Sequence, residues 1–274
     1  MDWLNLKGKV VVVTGGASGI GKAVCEGFAE CGASVVVADV VQAAGEKACA
    51  EMKERFGGRH LFVLTNVTDK ASVDGVIKAA LDAFGRLDIL VNNAGINIPR
   101  LLVDSSAAAD KEELTEQVWD KVVDINQKGM FLCAQAAARV MLKNRAGVIV
   151  NMASESGTEG SEGQSVYAST KAAAYALTRS WAKELGKHGI RVVGVAPGIL
   201  EATALRSPEY ERALAYTRGI TVEQLRASYE KVSIPLGRVG KLKEVADLVV
   251  FLASERASYV HGTVVNISGG KSRA

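Results

Sequence analysis

The chain has 274 residues, 48% of them hydrophobic, and a formal net charge of +3, enough length and apolar content for a large buried core. Its 33 basic residues are spread along the chain and balanced by 30 acids, which argues against a nucleic-acid partner. No apolar run approaches the ~20 residues of a membrane span, and the N-terminus has neither the charged region nor the apolar stretch of a signal peptide, so a soluble, cytoplasmic protein with no membrane partner is expected.

Lys9–Thr14, a run of valines, reads as a fully buried strand. It runs into Thr14-Gly15-Gly16-Ala17-Ser18-Gly19-Ile20-Gly21, and the helical pattern Gly19–Cys31 follows. Glycines permit positive φ and close backbone approach. A helix that starts there turns free N–H groups and a partial positive charge toward a pyrophosphate. The spacing is G-x-x-x-G-x-G, not G-x-G-x-x-G, so a tight turn without a ligand is the competing reading. A second strand, Ser34–Ala38, ends at Asp39. An acid in that place suits the ribose hydroxyls of NAD, and neither Ser18 nor Val40 supplies a charge to welcome the extra phosphate of NADP.

The alternation continues through the helix Ala43–Phe56, strand His60–Leu64, helix Ala71–Phe84 and strand Leu87–Val91. Next come one long helix, Glu116–Leu142, the strand Gly147–Met152, the helix Val166–Lys187 and the strand Arg191–Val195. Leu242–Leu252 is the last helix and Thr263–Ile267 the last strand. Near-continuous apolar strands between helices predict an α/β, doubly wound, Rossmann-type parallel sheet of seven strands with helices on both faces, as a single domain over residues 1–274. Ligands of such sheets lie at the carboxyl ends of the strands. Two insertions fall at that end, Asn97–Thr115 and Ile199–Gly240. The second carries its own helical patterns, Pro208–Thr217 and Val222–Val232, and reads as a substrate lid over about 199–240.

Tyr167 is followed four residues later by Lys171, which puts both on one helix face. An ammonium beside a phenol is expected to pull the phenol's pKa down and make it a proton-transfer group. Cys25, Cys31, Cys49 and Cys133 form no C-x-x-C pair and read as free thiols. His60, His188 and His261 show no metal-ligand spacing, and no metal is expected.

On Thr14–Gly21, Asn92-Asn93-Ala94-Gly95, Asn126, Ser154, Tyr167 with Lys171, and Pro197-Gly198, nearly the whole chain resembles the short-chain dehydrogenase/reductase family. The resemblance implies Tyr167 as general base toward an alcohol and Lys171 as its partner and a ribose ligand. It further implies Ser154 on the reacting oxygen, Asn126 on a relay water, and a homotetramer. Toward NAD it implies Gly15, Ser18, Gly19, Ile20, Gly21 and Asp39, then Asn66 and Val67, then Asn93, Ala94 and Gly95, and finally Tyr167, Lys171, Pro197 and Gly198. Asn66 stands where the family usually has aspartate, and Thr203 lies one position beyond the family's usual threonine.

The runs Asn97–Asp104, Ile125–Gly129, Ser154–Ser165, Leu185–Leu200 and Ser207–Gly237 resemble bacterial dehydrogenases of phosphorylated sugar alcohols, which implies sorbitol 6-phosphate as substrate. Arg100 and Arg206 are the expected phosphate ligands, with Lys241 as an outside possibility, because the planar arginine fork binds phosphate oxygens in pairs. Lys128, two residues after Asn126, is nearer the proton relay and reads instead as buried support. Ser154 is also a substrate contact. Glu155, Glu159 and Glu162 are expected to bind hydroxyls or to face away. Another polyol, sugar, ketone or 3-oxoacyl substrate, and a non-catalytic dinucleotide-binding regulator, are the competing readings.

Overall fold

The computed structural model describes residues 3–106, 112–203, 205–230 and 234–272. Seven strands make one parallel sheet: β1 (Val10–Thr14), β2 (Ser34–Asp39), β3 (His60–Leu64), β4 (Ile89–Asn92), β5 (Gly147–Met152), β6 (Ile190–Pro197) and β7 (Val264–Ile267). Their spatial order is β3-β2-β1-β4-β5-β6-β7. The chain winds outward from β1 to β3 and then returns to β4, so the direction of winding reverses between β1 and β4. A crevice opens there at the carboxyl ends of the strands.

The helices are α1 (Gly19–Glu30), α2 (Gln42–Phe56), α3 (Lys70–Phe84), α4 (Glu116–Val123), α5 (Gly129–Asn144), α6 (Ser156–Glu159), α7 (Ser165–Leu185), α8 (Pro208–Thr217), α9 (Val222–Glu230) and α10 (Leu242–Ala253). Burial on both faces explains the unbroken valine run. Val11 and Val13 join Phe28 of α1 and Val245 and Val249 of α10 in one apolar layer. Val12 points the other way, into a layer with Val73 and Ile77 of α3 and Ala137 of α5. The edge strands β3 and β7 are only half-buried.

The expected helix over Glu116–Leu142 is present as one continuous helical run from Glu116 to Asn144, but it is not α-helical throughout. Between α4 and α5 the backbone makes a π turn, Asp124–Lys128, with Asn126 at its centre. One extra residue per turn swings Asn126 inward, where it is 2% exposed. A single wide turn leaves no mark on apolar periodicity, and α6 is too short to leave one. Of the expected helix Val222–Val232, the described part ends at Glu230, and residues 231–232 lie outside the described residues.

The described residues of the insertion over 199–240 build a small layer of their own. Ser207 caps α8 by accepting from the Tyr210 N–H, with Pro208 in the first turn. Leu214 and Ala215 pack on Leu225 of α9, and Arg226 reaches Glu211 at 2.6 Å. A bridge between Leu200 and Gly240 draws the two ends of the insertion together. All four cysteines are free. Among the described residues no helix is long and apolar enough to cross a membrane, and no group of three His, Cys, Asp or Glu side chains is placed to hold a metal ion.

Candidate active site

A cleft of about 440 Å³ opens at the switch between β1 and β4. One end is the glycine turn. Gly15 and Gly19 have φ of +63° and +53°, a conformation that side-chain-bearing residues rarely adopt. Ser18 holds the N-cap position of α1 without a side-chain bond to the helix, and the first turn contains no acid. The free N–H groups of that turn are therefore available to an anion. Gly15, Ser18, Gly19 and Ile20 all line the cleft. Gly21 does not. A Cβ there would run into the Gly15 carbonyl and the Asn93 amide, so this glycine permits close packing instead of ligand contact. Gly21→Ala is expected to lower stability by about 1–3 kcal/mol through overpacking and to weaken dinucleotide binding, both measurable by denaturant melts and NADH fluorescence.

Asp39 closes this end. Its carboxylate accepts from the Ala17 N–H at 3.0 Å and the Val41 N–H at 3.1 Å. That fixes the acid at the tip of β2, in the cleft wall. Thr65, Asn66 and Val67 continue the wall. The Asn66 amide oxygen is already taken by the Thr68 N–H and hydroxyl, at 3.0 and 2.9 Å. Its expected use as an acceptor for adenine therefore competes with this local turn.

After β4 the four-residue motif divides its labour. Asn92 is buried and donates to Asn151, which donates to Thr178; it lies behind the cleft, not in it. Asn93 donates to the Thr14 and Gly15 carbonyls, and the Asn93 and Ala94 N–H groups bond the Thr14 hydroxyl. These bonds tie the glycine turn to the end of β4, and Asn93, Ala94 and Gly95 line the cleft. Asn126 lies one layer back. Its amide accepts from the Ile96 N–H at 2.8 Å and donates to the Ile96 carbonyl at 2.9 Å and the Thr170 hydroxyl at 3.2 Å. It clasps the loop after β4 to α7.

The other end of the cleft brings Ser154, Tyr167 and Lys171 together with Pro197 and Gly198. Ser154 follows β5, and its hydroxyl is close enough to the phenol of Tyr167 to act on its pKa. It also accepts from the Ser156 N–H and hydroxyl at 3.3 and 3.0 Å. Lys171, one turn along α7, is 6% exposed. Its ammonium donates to the Met152 carbonyl at 2.7 Å, and Nζ is 5.6 Å from the centre of the Tyr167 ring.

The expected depression of the phenol's pKa is not found. Enclosure raises the Tyr167 pKa above its ordinary value, the Ser154 hydroxyl opposes the rise, and the negative charge of Glu155 adds to it. Lys171 is itself buried, which lowers its own pKa to about 8. Desolvation is the largest cause for both groups.

Thr203 reaches the glycine turn: its Cβ and methyl lie 3.4 and 3.5 Å from where a Cβ on Gly19 would be. The one-residue offset in sequence is absorbed by the loop from Gly198 to Arg206. Of the expected phosphate ligands, Arg206 lines the cleft and Arg100 does not. Arg100 is paired with Glu112 at 2.5 Å and donates to the Pro99 carbonyl. Lys128 is exposed, not buried, and pairs with Asp124, and Lys241 is exposed at the start of α10. Glu159 and Glu162 are exposed, whereas Glu155 is held by Lys271 at 2.6 Å. Sequence reasoning did not single out Tyr210 of α8, which enters the cleft wall and accepts from Gln164 at 2.9 Å. Its only signal was membership of the lid.

The short chain dehydrogenase family model matches residues 9–213. The chain is 56% identical over 271 residues to a sorbitol-6-phosphate 2-dehydrogenase of Klebsiella pneumoniae, covering 99% of this chain and 98% of that one. It is 40% identical over 268 residues to a 3-oxoacyl-(acyl-carrier-protein) reductase of Thermotoga maritima, covering 97% and 99%. Among solved structures, levodione reductase superposes with a TM-score of 0.86 at 34% identity, covering 98% and 99%. The chain is an oxidoreductase of the short-chain dehydrogenase family, whose members bind a nicotinamide dinucleotide.

Proposed function

We propose that the protein oxidises D-sorbitol 6-phosphate to D-fructose 6-phosphate with NAD. The observation that carries the reading is one cleft with Ser154, Tyr167 and Lys171 at one end and an acid, Asp39, at the other. The substrate is supported by the likeness to the Klebsiella enzyme. The uncapped first turn of α1 and the positive φ of Gly15 and Gly19 fit a pyrophosphate, and Asp39 fits ribose hydroxyls. When bound, the dinucleotide takes up the hydride from the alcohol carbon at its nicotinamide ring.

The chain's own part is proton handling and positioning. Ser154 hydrogen-bonds the substrate hydroxyl and orients it against Tyr167. The phenolate oxygen of Tyr167 removes that hydroxyl's proton. Lys171 holds the nicotinamide ribose and offers a positive charge one helical turn from the phenol. Asn126 acts through the loop after β4, keeping Gly95 and Ile96 in place and bordering the path by which the proton leaves. The lid over 199–240 covers the substrate end. Trp119 of α4 and Phe131 of α5 are 44% and 42% exposed; they supply apolar surface for the homotetramer, which light scattering would detect.

The test is NADH formation with a panel of polyols and polyol phosphates. Sorbitol 6-phosphate should be oxidised best; a free polyol or 3-hydroxyacyl thioester oxidised as well would overturn the substrate. The cofactor has its own test. A 2′-phosphate would meet the Asp39 carboxylate, and among the described residues no Lys or Arg lines the cleft beside it, so kcat/KM should favour NAD over NADP by about 10²-fold, roughly 2.7 kcal/mol. Asp39→Ala should narrow that gap. Equal kcat/KM for both cofactors in the intact protein would refute it.

A further inference from the structure

The lid region contains five described arginines, and they divide into two kinds. Arg212, Arg226 and Arg238 are neutralised by Glu209, Glu211 and Glu244 at 3.2, 2.6 and 2.6 Å. Arg206 and Arg218 meet no carboxylate among the described residues. Both are half-buried all the same. A half-buried cation without a counter-ion is costly unless something neutralises it.

Arg206 lines the cleft that holds Ser154 and Tyr167. It donates to the Leu200 carbonyl at 3.0 Å, and its guanidinium lies 4.1 Å over the centre of the Tyr229 ring. Stacking of this kind fixes the plane of the fork and reduces the entropy lost when it binds. Of the five N–H donors in a guanidinium, most remain for a ligand.

Arg218 ends α8. Burial raises the Tyr229 pKa, and the charges of Arg206 and Arg218 both oppose that rise. Burial likewise pushes Tyr210 up to about 12; Tyr229 and Tyr167 add to the rise, and Arg218 opposes it. Arg206 stacks on Tyr229 in contact, whereas Arg218 does not line the cleft and acts on Tyr229 and Tyr210 as a charge from behind it. Glu201, the acid in this part of the wall, is turned to the Leu242 N–H at 2.7 Å.

We propose that Arg206, stacked on Tyr229 and backed by Arg218, binds the phosphate of the substrate and sets the preference for the phosphate ester over the free polyol. The proposal deepens the function proposed above and rests on it. A phosphomonoester carries nearly two negative charges at neutral pH, which two arginines match. Planar forks grip its oxygens in pairs, and Tyr210 lines the same cleft as Arg206. Arg100 is excluded by its pairing with Glu112.

The test compares sorbitol 6-phosphate with sorbitol in the intact protein and in Arg206→Ala, Arg206→Lys and Arg218→Ala. Three quantities are read: kcat/KM for both substrates, NADH affinity by fluorescence, and the rise in melting temperature on adding sorbitol 6-phosphate. Arg206→Ala should reduce the ester-to-polyol ratio of kcat/KM by about 10–100-fold, mostly through KM, the size expected of a charge-assisted pair. Arg206→Lys should lose less and Arg218→Ala about tenfold. The stabilisation by sorbitol 6-phosphate should shrink in the same order, a reading that survives loss of turnover. If the intact protein shows no preference for the ester, the proposed function fails first. If it does and all three variants retain that preference, the inference is overturned. A loss of NADH affinity parallel to the loss on the ester would assign Arg206 to the dinucleotide and overturn it equally.

Discussion

Tyr167→Phe is expected to reduce kcat for alcohol oxidation on the order of 10²–10⁴-fold or more while leaving NADH affinity within a few-fold. The substitution keeps the ring against its neighbours and removes only the phenolic oxygen. The pH dependence has a definite sign. Burial raises the phenol's pKa, with the Ser154 hydroxyl opposing and Glu155 adding, so the phenolate is scarce at neutral pH. Oxidation needs the phenolate, and its kcat/KM should climb steadily from pH 7 toward pH 10. Ketone reduction needs the phenol as acid and should fall over the same range. The variant should lose this pH dependence with its activity. Near-normal turnover by Tyr167→Phe would remove Tyr167 from the mechanism.

The sheet was legible because its cause is local and repetitive. Val11, Val12 and Val13 have to be buried on alternate faces, and only a covered parallel sheet does that for seven strands in succession. The ends of the cleft were legible because they lie at strand termini: Gly15 after β1, Asp39 at the end of β2, and Ser154 just beyond β5. What sequence could not reveal depends on side chains that meet across long separations. Arg100 looked free until Glu112 was found beside it. Asn126 looked like a polar residue in an ordinary helix until the π turn aimed it at Ile96 and Thr170. Thr203 looked misplaced by one residue, yet the loop returns it to Gly19. The phenol's pKa was misjudged because helical spacing shows that Lys171 is near and says nothing of how deeply both groups are enclosed. Lys171 is the more enclosed of the two, buried against the Met152 carbonyl of β5, while Tyr167 stays half-buried in the cleft wall.

Lys171→Met provides a test of that enclosure which does not depend on catalysis. Turnover should be lost, on the order of 10²-fold or more, because the variant has no cation beside Tyr167 and no ribose donor. Its stability should differ from that of the intact protein in a pH-dependent way. In the folded chain the ammonium is desolvated and its pKa is lowered to about 8, against about 10.4 in an unfolded chain. Between these values the unfolded state binds the extra proton, so folding becomes more favourable as pH rises. The penalty for burying the charge is fully present below pH 8 and is relieved above it. Between pH 7 and 9.5 the intact protein should gain about 2 kcal/mol relative to Lys171→Met. The lost bond to the Met152 carbonyl costs the variant a nearly constant amount and does not alter this slope. Chemical denaturation of both proteins at several pH values measures the difference directly. A flat difference would mean that Lys171 keeps its ordinary pKa in the folded chain. Its charge would then persist beside Tyr167 up to about pH 10.4 and not be lost above pH 8.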